Sequence, residues 1–507
     1  MAENLITVKN LYKTFYGATA LDGMDFSIDK GEIRCLIGEN GCGKSTMIKI
    51  ISGFYDYDKG EIFIDGKQYK KITPIESMKA GIQVIYQDFS LFDNMTIAEN
   101  IMMYQVVQEK RRIIHKAEMR KRAQETVSRI GFDINIDKYV HELNVAQKQM
   151  VAICRALVQD AVLLIMDEPT TALTTIEVEN LFRVTKELKS KGVSILFVSH
   201  KLDEVFKISD SLTVMRNGKK VYESNDLNIS KEELIYKITG KHIDDVRFDY
   251  STLNNVEETL YEVRGYELEP YFRDINFSLK KGEILGITGL LGSGRSELAD
   301  ALFGAMSVDK GTVVIEGNTY TAFKNLQKAI NLGMAYVPED RLTEGIHLEQ
   351  KIAYNVVARI INNLKGKGGF LSSSKIKEQQ KIGLSKISIH GLKLNNPAKS
   401  LSGGNQQKLV LVKWLVSNPK LLILNCPTVG VDIGAKSEIH NIIRDLAKKG
   451  IGIIVVSDDI PEIIQLCSRV LIIKNGTFVQ ERTIKDTTME EIEELLGGAQ
   501  DRKEVAG

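Results

Sequence analysis

The chain has 507 residues, of which 67 are lysine or arginine and 66 are aspartate or glutamate, so its formal net charge is +1. This balance argues against nucleic acid as the main partner, since nucleic-acid-binding proteins usually carry a clear basic excess. The content of 43% hydrophobic and 26% charged residues excludes a disordered chain, and the length predicts two to four domains.

Neither a leader nor a membrane span is evident in the sequence. The N-terminal residues MAENLITVKN lack the basic and apolar regions of a secretory leader. No apolar stretch reaches the roughly eighteen residues that cross a bilayer. We therefore expect the chain to stay in the cytoplasm. The five cysteines are scattered, without a C-x-x-C pair or a histidine at zinc-ligand spacing, which predicts free thiols.

The first motif with chemical meaning is a glycine-rich loop at residues 38–46, which reads GENGCGKST and fits the pattern G-x-x-x-x-G-K-[ST]. It follows the apolar run IRCLI and precedes the helical pattern MIKIISG, as the motif requires. In such a loop, backbone N–H groups surround phosphates, the lysine reaches the terminal phosphates and the following hydroxyl can bind Mg²⁺. The predicted nucleotide-binding residues are Gly38, Glu39, Asn40, Gly41, Cys42, Gly43, Lys44, Ser45 and Thr46.

Two carboxylates, Asp167 and Glu168, end the buried-strand pattern AVLLIM. Ligands of α/β proteins bind beyond the carboxyl ends of the strands, so both side chains are placed where a nucleotide would bind. Asp167 suits Mg²⁺, and Glu168 suits polarising the attacking water. A carboxylate pair after a strand is on its own more often a helix cap or a turn. The phosphate loop in the same domain favours the catalytic interpretation.

The first half of the chain alternates short β-branched runs, such as IRCLIG, LLIMD and SILFVS, with longer helical patterns. This alternation predicts an α/β fold with a largely parallel sheet. The half closes on SKEELIYKITG, where Ser230 and Glu233 have the spacing of a capping box at a helix start.

The second half repeats the first. GEIRCLIGENGCGKS from Gly31 matches GEILGITGLLGSGRS from Gly282, and LNVAQKQM from Leu143 matches LSGGNQQK from Leu401. The later pairs VLLIMDEPT with KLLILNCPT and SHKLDE with SDDIPE keep one constant spacing, as does a second capping box in TMEEIEELLGG. The halves are therefore duplicated domains.

The domain boundaries follow from this repeat. The stretch HIDDVRFDYSTLNNVEET is polar and has no clear periodicity, and a strand-like pattern restarts after it. We predict a first domain at 1–241, a linker at 242–259, a second domain at 260–498 and a polar tail at 499–507.

Together these motifs resemble the ATP-binding cassette superfamily, and within it the fused tandem-cassette subunits of bacterial simple-sugar importers, over about residues 5–497. The most specific element is LSGGNQQ at 401–407, which resembles the signature loop of the superfamily. The resemblance implies two P-loop ATPase domains, each with a largely parallel sheet, an antiparallel β part and a helical signature subdomain. It also implies that the chain binds and hydrolyses ATP with Mg²⁺.

The resemblance assigns roles to further residues. Phe15 resembles the aromatic residue that stacks on adenine, Gln87 the glutamine that links Mg²⁺ to the transporter-facing subdomain, and His200 the switch histidine. Phe15 and His200 could instead be structural, and Gln87 a solvated loop residue. The implied catalytic residues are Lys44, Gln87, Glu168 and His200, and the implied metal ligands are Ser45, Gln87 and Asp167. In the superfamily the signature loop of one cassette completes the site of the other, which here implies Ser402, Gly403, Gly404 and Asn405.

The second phosphate loop keeps Ser296 but departs from this pattern around it. Compared with the first half, the substituted positions are Arg295 for the lysine, Glu339 for the glutamine, Asn425 for the Mg²⁺ aspartate, Cys426 for the catalytic glutamate and Asp458 for the histidine. Asparagine supplies no negative charge for Mg²⁺, and an ordinary thiol is mostly protonated near neutral pH. We therefore predict that only the first site hydrolyses ATP. Whether the second binds nucleotide is left open by the sequence.

The resemblance also implies partners. A helical subdomain between Gln87 and Leu143 would grip a separate membrane permease, a homodimer or heterodimer, that works with an extracytoplasmic solute-binding protein. The chain would then lie at the cytoplasmic face of the membrane and serve import of a ribose-, galactose-, arabinose- or xylose-type sugar. The alternatives are a nucleoside or autoinducer-type importer, a soluble tandem-cassette factor acting on ribosomes or nucleic acid, and a regulatory module that binds nucleotide without turnover. We expect no nucleic-acid partner.

Overall fold

A computed structural model of the chain describes residues 3–15, 18–86, 90–108, 115–132, 134–170, 173, 175–199, 201–241, 247–248, 250, 258–290, 292–323, 325–366, 369–385, 387 and 393–497. The chain folds as two units, Met1–Ile243 and Asp244–Gly507. No helix among the described residues is long and apolar enough to cross a membrane. All five cysteines are free and buried, which confirms the prediction of free thiols.

The first unit contains an antiparallel sheet of order β2-β1-β4-β5 and a mostly parallel sheet of order β10-β9-β3-β8-β7-β6. The strands are β1 (Asn4–Phe15), β2 (Ala18–Asp29), β3 (Ile33–Ile37), β4 (Lys59–Ile64), β5 (Lys67–Tyr69), β6 (Ile82–Ile85), β7 (Leu163–Asp167), β8 (Ser194–Val198), β9 (Ser211–Arg216) and β10 (Lys219–Ser224). β3 and β8 are buried along their whole length. Strands buried along their whole length are expected where helices cover both faces of a parallel sheet.

Helices connect these strands. They are α1 (Lys44–Ile51), α2 (Pro74–Lys79), α3 (Ile97–Gln108), α4 (Lys116–Arg129), α5 (Val145–Leu157), α6 (Thr175–Ser190), α7 (Leu202–Ile208) and α8 (Lys231–Thr239). Helices α3 and α4 lie between Gln87 and Leu143, where the resemblance implies a helical subdomain, and they pack on each other and on α5, which begins after that segment. Of the capping box predicted at the start of α8, the structure forms the serine half, in which the amide of Glu233 donates to the hydroxyl of Ser230 at 3.1 Å.

The second unit repeats this architecture, with sheets of order β12-β11-β14-β15 and β20-β19-β13-β18-β17-β16. Its strands are β11 (Thr259–Leu268), β12 (Phe272–Lys280), β13 (Ile284–Thr288), β14 (Lys310–Ile315), β15 (Asn318–Thr321), β16 (Met334–Val337), β17 (Leu421–Asn425), β18 (Gly452–Val456), β19 (Arg469–Lys474) and β20 (Thr477–Thr483). Its helices are α9 (Arg295–Phe303), α10 (Leu326–Asn331), α11 (Ile352–Val357), α12 (Ser373–Ser385), α13 (Gly403–Leu415), α14 (Ile433–Lys448), α15 (Ile460–Leu466) and α16 (Met489–Gly497).

Part of the segment predicted as a linker packs on the second unit. The amide of Phe248 donates to the carbonyl of Gln465 at 3.2 Å, and the hydroxyl of Tyr250 donates to the carbonyl of Leu466. The rings of Phe248 and Tyr250 pack edge to face with centroids 4.6 Å apart. The chain is thus attached to the second unit before β11 begins.

Candidate functional site

The phosphate loop of the first unit joins β3 to α1 and depends on glycine at two positions. Gly43 has φ +110°, and a Cβ there would lie 2.5 Å from the carbonyl oxygen of Ala20. A Cβ at Gly38 would lie 2.3 Å from the carbonyl oxygen of Met215. Only glycine fits such positions without displacing backbone. The loop is therefore held in a tight turn at the N-terminus of α1, the geometry that binds anions.

Lys44, the first residue of α1, is held over this loop. Its side chain is buried, and its ammonium donates to the carbonyl oxygens of Gly38 at 2.7 Å and Glu39 at 3.1 Å. Carbonyl oxygens are weaker partners for an ammonium than phosphate oxygens are. The lysine is thus positioned on the loop and can exchange these acceptors for a phosphate.

Asp167 lies at the end of β7, and the nearby hydroxyl of Ser45 favours its ionised form. Burial, followed by the negative charge of Glu168, raises the pKa of Asp167 above its ordinary value, although Lys44 opposes the rise. A cation beside this carboxylate would favour its ionised form. Hydroxyl and carboxylate oxygens are also the ligands of Mg²⁺, which takes its others from water and phosphate. Ser45 and Asp167 therefore fit Mg²⁺ bound together with a nucleotide.

No group of three or more His, Cys, Asp or Glu residues that could hold a metal ion occurs in the part of the chain that the structure describes. Ser45 and Asp167 would supply two of the oxygen ligands that Mg²⁺ takes.

Glu168 has a left-handed backbone, with φ +50°, and its amide donates to the carbonyl of Val198 in β8 at 3.0 Å. This conformation is uncommon for a residue other than glycine and costs on the order of 1–3 kcal/mol. Such strain clusters at functional sites, where it fixes the direction of a side chain. The sequence gives no signal of it.

A buried acid that sequence analysis missed connects the ends of β7 and β8. Glu204 accepts hydrogen bonds from the hydroxyls of Thr170 at 2.7 Å and Ser199 at 3.0 Å. These bonds fix the segments that follow Asp167 and precede His200. The repeated pair SHKLDE and SDDIPE carries the signal, because both end in this glutamate.

Three predicted residues of the first site remain, and the structure describes one of them, Phe15. Phe15 is partly buried, its ring packs edge to face on Tyr55 with centroids 5.1 Å apart, and the ammonium of Lys13 lies 5.1 Å from its ring centre. Its assignment to adenine stays a prediction. Gln87 and His200 lie outside the described residues.

In the second unit, carboxylates engage the phosphate loop. The buried guanidinium of Arg295 lies 3.2 Å from the carboxylate of Asp458, and the hydroxyl of Ser296 donates to Glu339 at 3.0 Å. The Arg295 Nη1 group is buried without a hydrogen-bond partner. The loop residues that would bind phosphate and metal are thus paired with the side chains that replace the histidine and the glutamine.

The end of β17 is equally altered. The amide of Asn425 donates to the hydroxyl of Tyr336 at 3.3 Å, which in turn donates to Asp300 at 2.5 Å. Burial raises the pKa of the Cys426 thiol to about 12. A thiol that stays protonated cannot accept a proton from water at neutral pH.

A cavity of about 520 Å³ opens beside these residues and is acidic. Its lining carries four carboxylates, Asp300, Glu339, Asp340 and Glu344, and one guanidinium, Arg341. Like charges repel more strongly where water is partly excluded, so this lining disfavours a phosphate group. The residues that line the cavity are Ser296, Asp300, Tyr336, Glu339, Asp340, Arg341, Leu342, Glu344, Asn425 and Val429.

The signature loop of the second unit begins α13. Ser402 is its N-cap residue, but its side chain makes no capping bond. Gly404 is buried, and a Cβ there would lie 2.3 Å from the Cβ of Ala435. The matching residue of the first unit, Asn144, instead uses its side chain to cap α5, accepting from the amide of Gln147 at 2.8 Å. The side chain of Ser402 is therefore available to bind a ligand, whereas that of Asn144 is used as a helix cap.

Comparison with known proteins adds to this geometry. A sequence model of the family described as ABC transporter matches residues 21–171 and 272–429. Ribose import ATP-binding protein RbsA of Oceanobacillus iheyensis is 36% identical over 96% of this chain and 97% of its own length. A putative ribose/galactose/methyl galactoside import ATP-binding protein of Agrobacterium fabrum is 36% identical over 97% of both chains. The ribose protein of Bacillus subtilis is 35% identical over 97% of this chain and 99% of its own.

Proposed function

Because the chain belongs to the ABC transporter family, we propose that it is the ATP-hydrolysing subunit of an importer for a simple sugar of the ribose or galactose type. The observation that carries the proposal is the similarity to ribose and galactose import proteins over nearly the whole length, across both cassettes. The first cassette supplies the residues that ATP hydrolysis requires.

Each described residue of the first site has a chemical role in this proposal. Lys44 and the loop N–H groups bind the terminal phosphates, and Ser45 and Asp167 would hold Mg²⁺, which neutralises phosphate charge when bound. Glu168 orients the attacking water and takes its proton. Gln87 and His200 complete the catalytic set, and Phe15 stacks on adenine. The signature residues that act on the same nucleotide are Ser402, Gly403, Gly404 and Asn405.

The second phosphate loop does not support turnover in this proposal. Arg295 and Ser296 are engaged by Asp458 and Glu339, and the Cys426 thiol is protonated and buried. Loss of a positioned general base costs a factor of about 10² to 10⁴ before the defect in metal binding is added. One ATP is therefore hydrolysed per cycle, at the first site.

Glu168→Gln tests this assignment. The amide keeps the shape of the side chain but cannot take a proton, so we expect steady-state ATPase activity of the assembled transporter to fall about 10² to 10⁴-fold. ATP binding, measured by equilibrium dialysis, is expected to stay within a factor of two. Turnover near that of the wild type would refute the role of Glu168.

The permease is proposed to dock on a cleft in the first unit. The cleft has a volume of about 380 Å³ and lies between β6, α3 and α5. Two aromatic side chains on it are unusually exposed, Phe54 at 65% and Phe92 at 51%. Exposed apolar patches of this kind mark interaction sites. We propose that this contact holds the chain at the cytoplasmic face of the membrane, where the permease passes solute from an extracytoplasmic binding protein.

The substrate is tested by reconstituting the chain with its permease and solute-binding protein. We expect ribose or galactose to stimulate ATPase activity several-fold. A nucleoside that stimulates where neither sugar does would establish the alternative importer. Activity that responds to ribosomes and to no solute would overturn the transporter assignment.

A further inference from the structure

The first unit's cleft has a counterpart in the second unit that can be identified by a shared hydrogen-bond device. The side-chain amide of Asn100 brackets the backbone of Phe92, accepting from its N–H at 2.8 Å and donating to its carbonyl at 3.0 Å. Asn355 brackets the backbone of His347 in the same way, at 2.9 and 3.0 Å. Positions on the two subdomains can therefore be matched residue by residue.

Three small or aliphatic residues on the wall of the first unit's cleft are aromatic in the second unit. Ser52, Val84 and Ala156 line the cleft, and the matching residues by the sequence repeat are Phe303, Tyr336 and Trp414. The three rings pack on one another: Phe303 stacks on Tyr336 with centroids 5.2 Å apart and meets Trp414 edge to face at 5.4 Å. All three are buried. The second unit thus fills this place with its own side chains.

Two cationic side chains pack over the ring of Trp414 in this aromatic cluster. The guanidinium of Arg359 lies 5.7 Å and the ammonium of Lys413 lies 5.6 Å from the ring of Trp414. Lys413 also donates to the carbonyl of Gly345 at 2.6 Å. Cations over an indole ring are attracted to its face, most strongly where water is excluded. The aromatic cluster is therefore held in place.

At the rim of the cleft, the aromatic residues are in the first unit and the smaller or more polar residues are in the second, the reverse of what is found in the interior. Phe54 and Phe92, the exposed aromatic residues of the first unit's cleft, are matched by Ala305 and His347 in the second unit. The first unit therefore has a small interior with an aromatic rim, whereas the second has an aromatic interior with a small and polar rim.

Polar atoms left without partners indicate what the first cleft binds. Gln83 Nε2 and Gln159 Oε1 line the cleft, are buried and make no hydrogen bond. Their matches are Ala335, which has no polar side-chain atom, and Ser417, whose hydroxyl donates to the carbonyl of Trp414 at 2.6 Å. The filled cluster also has buried donors without a partner, Trp414 Nε1 and Arg359 Nε, but it is the first cleft that has open space beside its unpaired atoms. A buried polar atom without a partner costs about 1–3 kcal/mol. A peptide segment offers both a carbonyl and an N–H group to pair with these amides, beside an apolar side chain for the cavity.

We propose that the permease inserts an apolar side chain, carried on a segment with free backbone groups, into the first cassette alone, so that the two cassettes hold the permease through unlike contacts. This inference rests on the proposed function, because it takes the permease as the partner. The second cassette presents a filled surface at the matching place.

A matched exchange of residues between the cassettes tests the inference. Ala156→Trp fills the first cleft as the second is filled, and Trp414→Ala opens the second. Each full-length variant is co-expressed with the permease encoded beside it, captured through a tag on the permease, and quantified by the amount of chain recovered. We expect Ala156→Trp to lower recovery at least ten-fold and Trp414→Ala to leave it within two-fold, with Ala156→Ser as the control that keeps the cleft open.

Loss of a buried tryptophan can unfold the chain, so a second pair of variants uses the exposed rim. Phe92→His is expected to lower recovery several-fold, and His347→Phe to leave it unchanged; thermal melting confirms that each variant folds. Recovery of Ala156→Trp and Phe92→His at wild-type levels would overturn the inference. It would also be overturned if folded variants of the two cassettes lost recovery to the same extent. Failure of the wild-type chain to recover with the permease would overturn the proposed function itself, and this inference with it.

Discussion

Glu168 and Cys426 end equivalent strands of the two cassettes and share one backbone conformation, with φ of +50° and +47°. Each amide donates to the valine that ends the neighbouring strand, Val198 at 3.0 Å and Val456 at 2.7 Å. The strained turn is thus kept in the second cassette although its side chain no longer has the chemistry that the turn orients. Backbone hydrogen bonds preserve the fold of a duplicated domain even where the reactive group is lost.

The buried acid beside this turn is preserved in the same way. Glu462 accepts from Thr428 and Ser457, each at 2.7 Å, as Glu204 does from its threonine and serine in the first cassette. The second cassette has therefore kept the residues that support the fold and replaced those that would bind metal and activate water. In the proposed function, its contribution to hydrolysis is the signature loop on α13.

The largest expected difference in ATPase activity is between variants of Lys44, the first residue of α1, and of Arg295, the first residue of α9. Lys44→Ala removes the cation that binds the terminal phosphates, so we expect ATPase activity of the assembled transporter to fall at least about 100-fold. Arg295→Ala removes a cation that is already paired with Asp458, and turnover is expected to stay within two-fold. Steady-state phosphate release measures both. A loss of similar size in the two variants would show that the second loop takes part in hydrolysis.

A smaller contrast is expected at the loops that begin α5 and α13. Gly404→Ala places a Cβ 2.3 Å from that of Ala435, and overpacking of this kind costs about 1–3 kcal/mol. Because the displaced loop is the one proposed to act on the nucleotide, we expect ATPase activity to fall about ten-fold, with a lowered melting temperature. The reverse change at the matching position, Ala146→Gly, is expected to leave activity unchanged. An equal loss at both positions would indicate two working signature loops.

The sequence predicted the parts of this picture that depend on neighbouring residues. The phosphate loop at 38–46, the strand before Asp167 and the cap at Ser230 are local patterns, and each is found where expected. The ring cluster of Phe303, Tyr336 and Trp414 was not predictable, because its members lie far apart in sequence and each alone suggests an ordinary core residue. The left-handed turns at Glu168 and Cys426 also escaped, since they are fixed by hydrogen bonds to the next strand rather than by residue type.

The smallest expected effect concerns the lost base of the second cassette. Cys426→Glu restores a carboxylate at the end of β17, but Asn425 still supplies no charge for Mg²⁺ and Arg295 still pairs with Asp458. The new carboxylate would also face the negative charges of Glu339 and Asp458, which already act on position 426. We therefore expect the turnover of the assembled transporter to stay within about 20% of the wild type, since general-base catalysis requires a bound and positioned substrate. A near doubling would mean that the second loop binds Mg-ATP in a competent geometry and that Cys426 alone keeps it silent.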